Sequence, residues 1–214
     1  MRNMSCLLLL LCLAGCNVIG VAAYKLTPPP TIKPKYTNLQ NQSVGVMVWA
    51  DRGLRIDWPS LQLDLANTIQ TKLNNPENAK KKELHGVSYP VQAASIVRYQ
   101  KDHPEIEAQH ITEVAQKLGV RRLIYIEMED FATRSDMSVD LFRGEARGAV
   151  RVIEIEPGGT AKVTYTNDKV AAHFPEKGPR EGMPGIGDQK IYGGLIGAMA
   201  TEVVHLFVPY QLED

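Results

Sequence analysis

The sequence predicts an α/β domain: a single mixed β-sheet with about three helices packed mainly on one face, ending in a hairpin and then a helix. Three observations carry this. Val44-Gly45-Val46-Met47-Val48-Trp49 and Leu123-Ile124-Tyr125-Ile126 are short continuous runs of strand formers, the pattern of strands buried on both faces. Between and after them lie stretches with apolar residues at every third or fourth position. A long strand-like stretch broken at Pro157-Gly158-Gly159 then precedes the last helical segment. The order strand–helix–(strand)–helix–strand–hairpin–helix is that of a sheet layered with helices.

Taken from the start, Arg2 and the run Leu7 to Leu13 have the layout of a secretory leader, with a basic flank, a short apolar stretch and small residues after it. The run is shorter than the roughly 20 apolar residues of a spanning helix. Leu13-Ala14-Gly15-Cys16 resembles the bacterial lipobox. That resemblance implies cleavage between Gly15 and Cys16, and a diacylglycerol and a fatty acyl chain on Cys16. Asn17 follows where Asp marks inner-membrane retention in enteric bacteria, so the resemblance favours the periplasmic face of the outer membrane. The competing reading is an ordinary secreted chain cleaved near Ala14 or Ala22-Ala23. All 3 cysteines, Cys6, Cys12 and Cys16, lie at this end, so the domain forms no internal disulfide and has no thiol chemistry.

This divides the chain into a signal peptide (1–15), a lipidated N-terminus with a Pro-rich tether (16–42) and one α/β domain (43–214). Pro28-Pro29-Pro30 and Pro34 favour extended polyproline conformation, about 3.1 Å per residue, which suits a stalk. Ser43 opens the domain. Ala50 to Arg55 reads as a polar turn. A helix from Asp57 has Pro59 in its first turn, Leu61, Leu65, Ile69 and Leu73 on one face, and Asn74-Asn75-Pro76 as its stop. Residues 77–95 are ambiguous, with a short strand near Val87 to Val91. A helix is expected over 104–118, ended by Gly119, then a strand from Val120 to Phe131. Phe142 to Glu156 and Thr160 to Thr166 form the hairpin, with Val170 to Phe174 extending it after a kink. The Pro- and Gly-rich segment 175–190 reads as a mobile connection to a last helix from Gln189 to Phe207.

The 214 residues carry 24 basic and 24 acidic side chains. Neutrality argues against a nucleic-acid binder and against a polybasic peripheral membrane protein. Lys80-Lys81-Lys82, the only basic run, reads as a solvated helix end or loop. The 5 histidines, His85, His103, His110, His173 and His205, show no metal-ligand spacing, so no metal or cofactor is expected. No Gly-x-Ser-x-Gly elbow is present, and Gly182 to Gly187 lacks the lysine and hydroxyl of a phosphate loop. Glu127, Glu129 and Asp130 cluster at a strand end, where paired carboxylates could split their pKa values for acid–base work. Glu127 and Glu129 are expected on one wet strand face. Arg143, Arg147 and Arg151 share a face, for pairing with glutamates. Gly193, Gly194 and Gly197 cost about 1 kcal/mol each in a helix, which implies either tight internal packing or an interface.

The stretch Leu118-Gly119-Val120 through Asp130-Phe131, with the opening Val44-Gly45-Val46-Met47-Val48 and a hairpin strand containing Val150 and Val152, resembles the curli-secretion-channel (CsgG-like) lipoproteins. Their relatives include the Tol-system propeller N-terminal domain and the penicillin-binding-protein activators. The resemblance implies fold and compartment. Glu154 and Glu156 stand where that group has Asp. No alternating segments long enough for membrane-crossing hairpins are present, so a pore is not implied.

The expectation is a non-enzymatic, lipid-anchored envelope protein. It would bind an envelope partner or copies of itself in an export or cell-wall machine, through Arg180, Met183, Ile186 and Tyr192. The alternative is a periplasmic hydrolase using Glu127, Glu129 and Asp130.

Overall fold

The structure is a computed structural model, and it describes residues 30–134, 141–179, 182–185 and 187–212. Gly15 and Cys16 lie outside them. The chain divides into two units, Met1–Lys33 with Pro209–Asp214, and Pro34–Val208. In the first, β1 (Thr31–Ile32) pairs antiparallel with β6 (Tyr210–Gln211).

The second unit runs β2 (Val44–Ala50), α1 (Arg52–Asp57), α2 (Leu61–Leu73), α3 (Pro76–Ala79), a 3-10 turn (Lys82–Leu84), α4 (Ala93–Asp102), another 3-10 turn (Pro104–Ala108), α5 (Ile111–Lys117), β3 (Arg122–Arg134), β4 (Phe142–Ile155), β5 (Ala161–Phe174) and α6 (Asp188–His205). The sheet order is β2-β3-β4-β5, with β2 and β3 parallel and the other pairs antiparallel. The α/β class, the mixed main sheet and the closing hairpin-then-helix are as the sequence predicts.

Alternation along the strands makes two cores. Val44, Val46, Val48, Ile124, Ile126, Val150 and Val152 pack against Leu65 and Ile69 of α2 and Leu195, Met199 and Val203 of α6. Met47, Leu123, Tyr125 and Ile153 face the other way, onto Ile96 of α4, Ile106, and Val114 and Ala115 of α5. The two long helices therefore share one face, and the shorter ones close part of the other. Each fully buried aliphatic side chain contributes roughly 1.5–3 kcal/mol.

The free edge of β2 is closed. Val44 N–H donates to Ser88 O, and the amides of Gln62 and Gln100 both donate to Val48 O, at 2.8 and 3.0 Å. At the far side β5 is an edge strand, kinked by register shifts at Gly148/Val150 and Val152/Ile153. Such kinks blunt an edge against stray pairing.

Several expectations are corrected. The polar turn after β2 contains α1, which buries no residue and so shows no apolar stripe. The helix expected over 104–118 is two pieces, because His110 breaks it and its side chain accepts from Thr112 N–H to start α5. The strand near 87–91 is only a bridge from Ser88 to Ser43, and α4 occupies part of the ambiguous stretch. The hairpin's second arm does continue past a kink to Phe174, as expected, in one bulged strand. Residues 34–42, placed in the tether for their lack of periodicity, belong to the folded unit: Tyr36 and Leu39 are buried, at 6% and 1% exposure.

Candidate functional site

The site grows from a mismatch in strand length. Pairing of β2 with β3 stops at Ala50–Met128, while β3 continues to Arg134. Trp58, between α1 and α2, fills the vacated position. Its indole N–H donates to Phe131 O at 3.1 Å, and its ring packs edge-on to Phe131 and stacks on Tyr192. Tyr192 donates to Asp64 of α2 at 2.8 Å. Burial, reinforced by that carboxylate, raises the phenol well above its ordinary pKa.

The start of α6 is pinned to the same place. Asp188 accepts from Thr133 Oγ1 at 2.7 Å and pairs with Arg134, whose guanidinium also lies over the Phe142 ring. Hydrogen bonds from Arg134 and then Thr133 hold this carboxyl down to about 2. Further along, a Cβ on Gly144 of β4 would meet Ile191 at 2.9 Å, and one on Gly194 of α6 would meet the Phe174 ring at 2.3 Å. The two glycines let α6 lie close on the sheet. Gly193 and Gly197 differ: a Cβ there meets nothing within 4 Å. They lie on the open side of the helix.

The segment expected to be mobile is stitched to the sheet at its described residues. Met183 and Phe142 exchange backbone hydrogen bonds of 3.0 and 3.1 Å, and Arg143 donates to Pro179 O at 3.2 Å. Met183 thus takes up beside β4 where β5, ending opposite Gly144, leaves off. Of the residues expected to meet a partner, Met183 is half-buried at this stitch and Tyr192 belongs to the aromatic cluster. Arg180 and Ile186 lie outside the described residues. The Trp58–Phe131–Tyr192 and Asp188–Arg134–Thr133 clusters have no local sequence signature, because each joins elements far apart in the chain.

The carboxylate trio is split by a bulge. Met128 pairs with Gly148 and Asp130 with Arg147, leaving Glu129 as the extra residue. A Cβ on Gly148 would come within 2.5 Å of Glu127 O, so the bulge needs glycine there. A lone glycine inside a strand pattern is the one sequence signal for it. Asp130, rather than Glu129, therefore joins Glu127 on the face of the arginines. Arg147 reaches Asp130 at 2.7 Å, Arg151 pairs with Glu127, and Arg143 with Glu145 at 3.4 Å. The arginine ladder is paired with acidic neighbours, as expected. Glu127 and Asp130 stand half-exposed on a sheet face with cations upon them.

Elsewhere, His103 pairs with Glu105 at 2.9 Å and lies against Tyr99. Among the described residues no three His, Cys, Asp or Glu side chains gather as a metal site. None of their helices is long and apolar enough to cross a membrane. An open groove of about 590 Å³ runs between the end of α2 and the start of α4, lined by Asn67, Gln70, Lys72, Asn74, Asn75 and Gln92 among others.

No family model matches this chain, and no curated protein sequence does. Among solved structures, a hypothetical protein, CT253, of Chlamydia trachomatis is similar at 18% identity and a TM-score of 0.44, covering 76% of this chain and 92% of its own. Lipoprotein GNA1162 of Neisseria meningitidis is similar at 14% identity and a TM-score of 0.41, over 76% and 94%. The PelC dodecamer of Paraburkholderia phytofirmans gives 12% identity and a TM-score of 0.39, over 85% and 95%. The likeness is weak, and the curli-secretion-channel resemblance is not confirmed by it.

Proposed function

We propose that this chain is a lipid-anchored envelope protein, held through Cys16 at the periplasmic face of the outer membrane, whose α/β domain works by binding. It would serve as an assembly or docking module of an export or cell-wall machine. The observation that carries this is the outer face of α6. Gly193 and Gly197 lie one turn apart with open space beyond them, so neither serves the chain's own packing. Each costs about 1 kcal/mol relative to alanine in a helix. Paired small residues on an open helix face suit close approach by another backbone, from a protein partner or a second copy. The hydrolase alternative needs its carboxylates in a cleft, and the pairing of Arg151 with Glu127 and Arg147 with Asp130 on a half-exposed sheet face supports binding over catalysis.

The test is Gly193→Arg with Gly197→Arg in the full-length chain, cross-linked in membranes and purified in detergent. The expected result is loss of the co-purifying partner or of the self-cross-link, with an unchanged circular dichroism spectrum. Recovery of the same species at the same yield would overturn the interface. The anchor is tested separately, by mass spectrometry of the mature N-terminus and by fractionation of Cys16→Ala. A soluble, unacylated native protein would end that part of the reading.

A further inference from the structure

The chain is neutral as a whole, yet four of its lysines, Lys72, Lys80, Lys81 and Lys82, gather at one end of the folded unit. Asp64, in the first turn of α2, accepts from Tyr192 near the start of α6. At the other end Lys72, in the last turn of α2, lies near enough to His205, in the last turn of α6, to help depress its pKa beneath the larger effect of burial; Lys81 acts likewise. The two helices thus run side by side in the same direction and finish together. Asn78 donates to Lys72 O at 2.8 Å, which fastens the segment carrying Lys80, Lys81 and Lys82 to the same end. Lys80 and Lys82 are exposed. The acidic residues within this segment are Glu77 and Glu83, and Glu202 lies in the final turns of α6.

Two further observations coincide there. The folded unit begins at this end: the N–H groups of Lys35 and Tyr36 donate to Leu206 O at 2.9 and 3.0 Å, just past α6. The groove of about 590 Å³ includes Lys72 in its lining, which is otherwise mostly carboxamide, with Thr71, Pro76 and Ala94 and no carboxylate. Within the groove, Lys72 and the carboxamide donors have no carboxylate among the lining residues, which suits a phosphate flanked by hydroxyls.

We propose that this end docks on the anionic phospholipid surface to which the chain is tethered, with Lys72, Lys80 and Lys82 meeting headgroup phosphates and the carboxamide groove taking a headgroup. The proposal rests on the lipid-anchor reading. A tethered domain needs only a few such charges, because the tether already holds it at high effective concentration near the bilayer. Each lysine near an anionic surface strengthens binding about fivefold.

The full-length acylated protein is reconstituted into vesicles of phosphatidylcholine and of phosphatidylcholine mixed with phosphatidylglycerol, and amide hydrogen exchange is followed over 72–84 and over α1. Exchange over 72–84 is expected to slow several-fold on the anionic vesicles only, to recover in high salt, and to recover in Lys80→Glu/Lys82→Glu, with α1 unchanged throughout. Equal exchange on both vesicles, or protection that survives the charge reversal, would overturn the proposal. So would equal protection by free glycerol phosphate added to neutral vesicles, which would make this a small-anion site. Retention on neutral vesicles reads the anchor alone. A chain that stays on both vesicles without a difference keeps its anchor and loses this surface, whereas one that washes off neutral vesicles only keeps the surface and loses the anchor.

Discussion

Gly193 and Gly194 are adjacent in α6 but answer to different neighbours. A methyl on Gly194 would sit 2.3 Å from the Phe174 ring, whose own backbone is fixed opposite Gly144 in the sheet. The ring cannot yield cheaply, so Gly194→Ala is expected to destabilise by about 2 kcal/mol, the usual scale of overpacking. Gly193→Ala meets nothing and is expected to stabilise by up to about 1 kcal/mol. Urea unfolding midpoints measured side by side separate the two signs, and a loss at Gly193 would mean that the open face is not open. Asp188 makes a second residue-level prediction. Its folded pKa of about 2 lies below the ordinary 3.8. The stabilisation it gives is therefore complete above the unfolded value and lost as pH falls from about 4 through about 2. Asp188→Asn should flatten that part of the stability–pH profile. An unchanged acid limb would mean that the contacts with Arg134 and Thr133 do not hold α6 in solution.

Elements were legible where burial imposed a period. The apolar runs at 44–49 and 123–126 and the four-residue spacing of Leu61, Leu65, Ile69 and Leu73 each became the expected strand or helix. α1 was not legible because it buries nothing. α4 escaped because Gln92, at its start, makes no side-chain cap and only Ala93, Ile96 and Val97 are buried. The break before α5 was hidden because Ile111 and Val114 keep helical spacing while His110 interrupts the backbone. Alternation failed at Glu129, where one inserted residue swapped which carboxylate faces the arginines. The edge of β2 shows what no local pattern records, since Gln62 and Gln100 come from two helices to one carbonyl. Replacing both by Leu leaves Val48 O, fully buried, without those donors. The expected cost is about 1–3 kcal/mol, read from thermal and urea unfolding, with either single variant costing less than half of the double. An additive result would mean that the two amides do not substitute for one another.

At the scale of the molecule, composition and packing disagree about where the domain begins. The stretch 24–42 looks like tether throughout, for it is rich in proline and polar residues and has no period. Packing assigns its second half otherwise. Tyr36 lies between Tyr165 and Phe207, with ring centroids 5.9 and 6.0 Å away, and its hydroxyl donates to Glu154 at 2.8 Å. Burial, with the Glu154 hydrogen bond second, pushes that phenol up to about 12. Leu39 is 1% exposed. A segment with only two buried side chains cannot show periodicity, which is why the sequence concealed it. The consequence is a pair of truncations. A chain beginning at Pro34 retains both side chains and is expected to unfold at the same urea midpoint as the longer protein. A chain beginning at Ser43 loses Leu39, worth about 2–5 kcal/mol on the scale of core truncations, and strips the cover from Phe207 and Tyr165. It is expected to unfold at a much lower midpoint, or to fail to fold. Equal midpoints for the two would return 34–42 to the tether and lengthen the reach from Cys16, while a loss in the Pro34 chain would make the residues before it part of the folded unit.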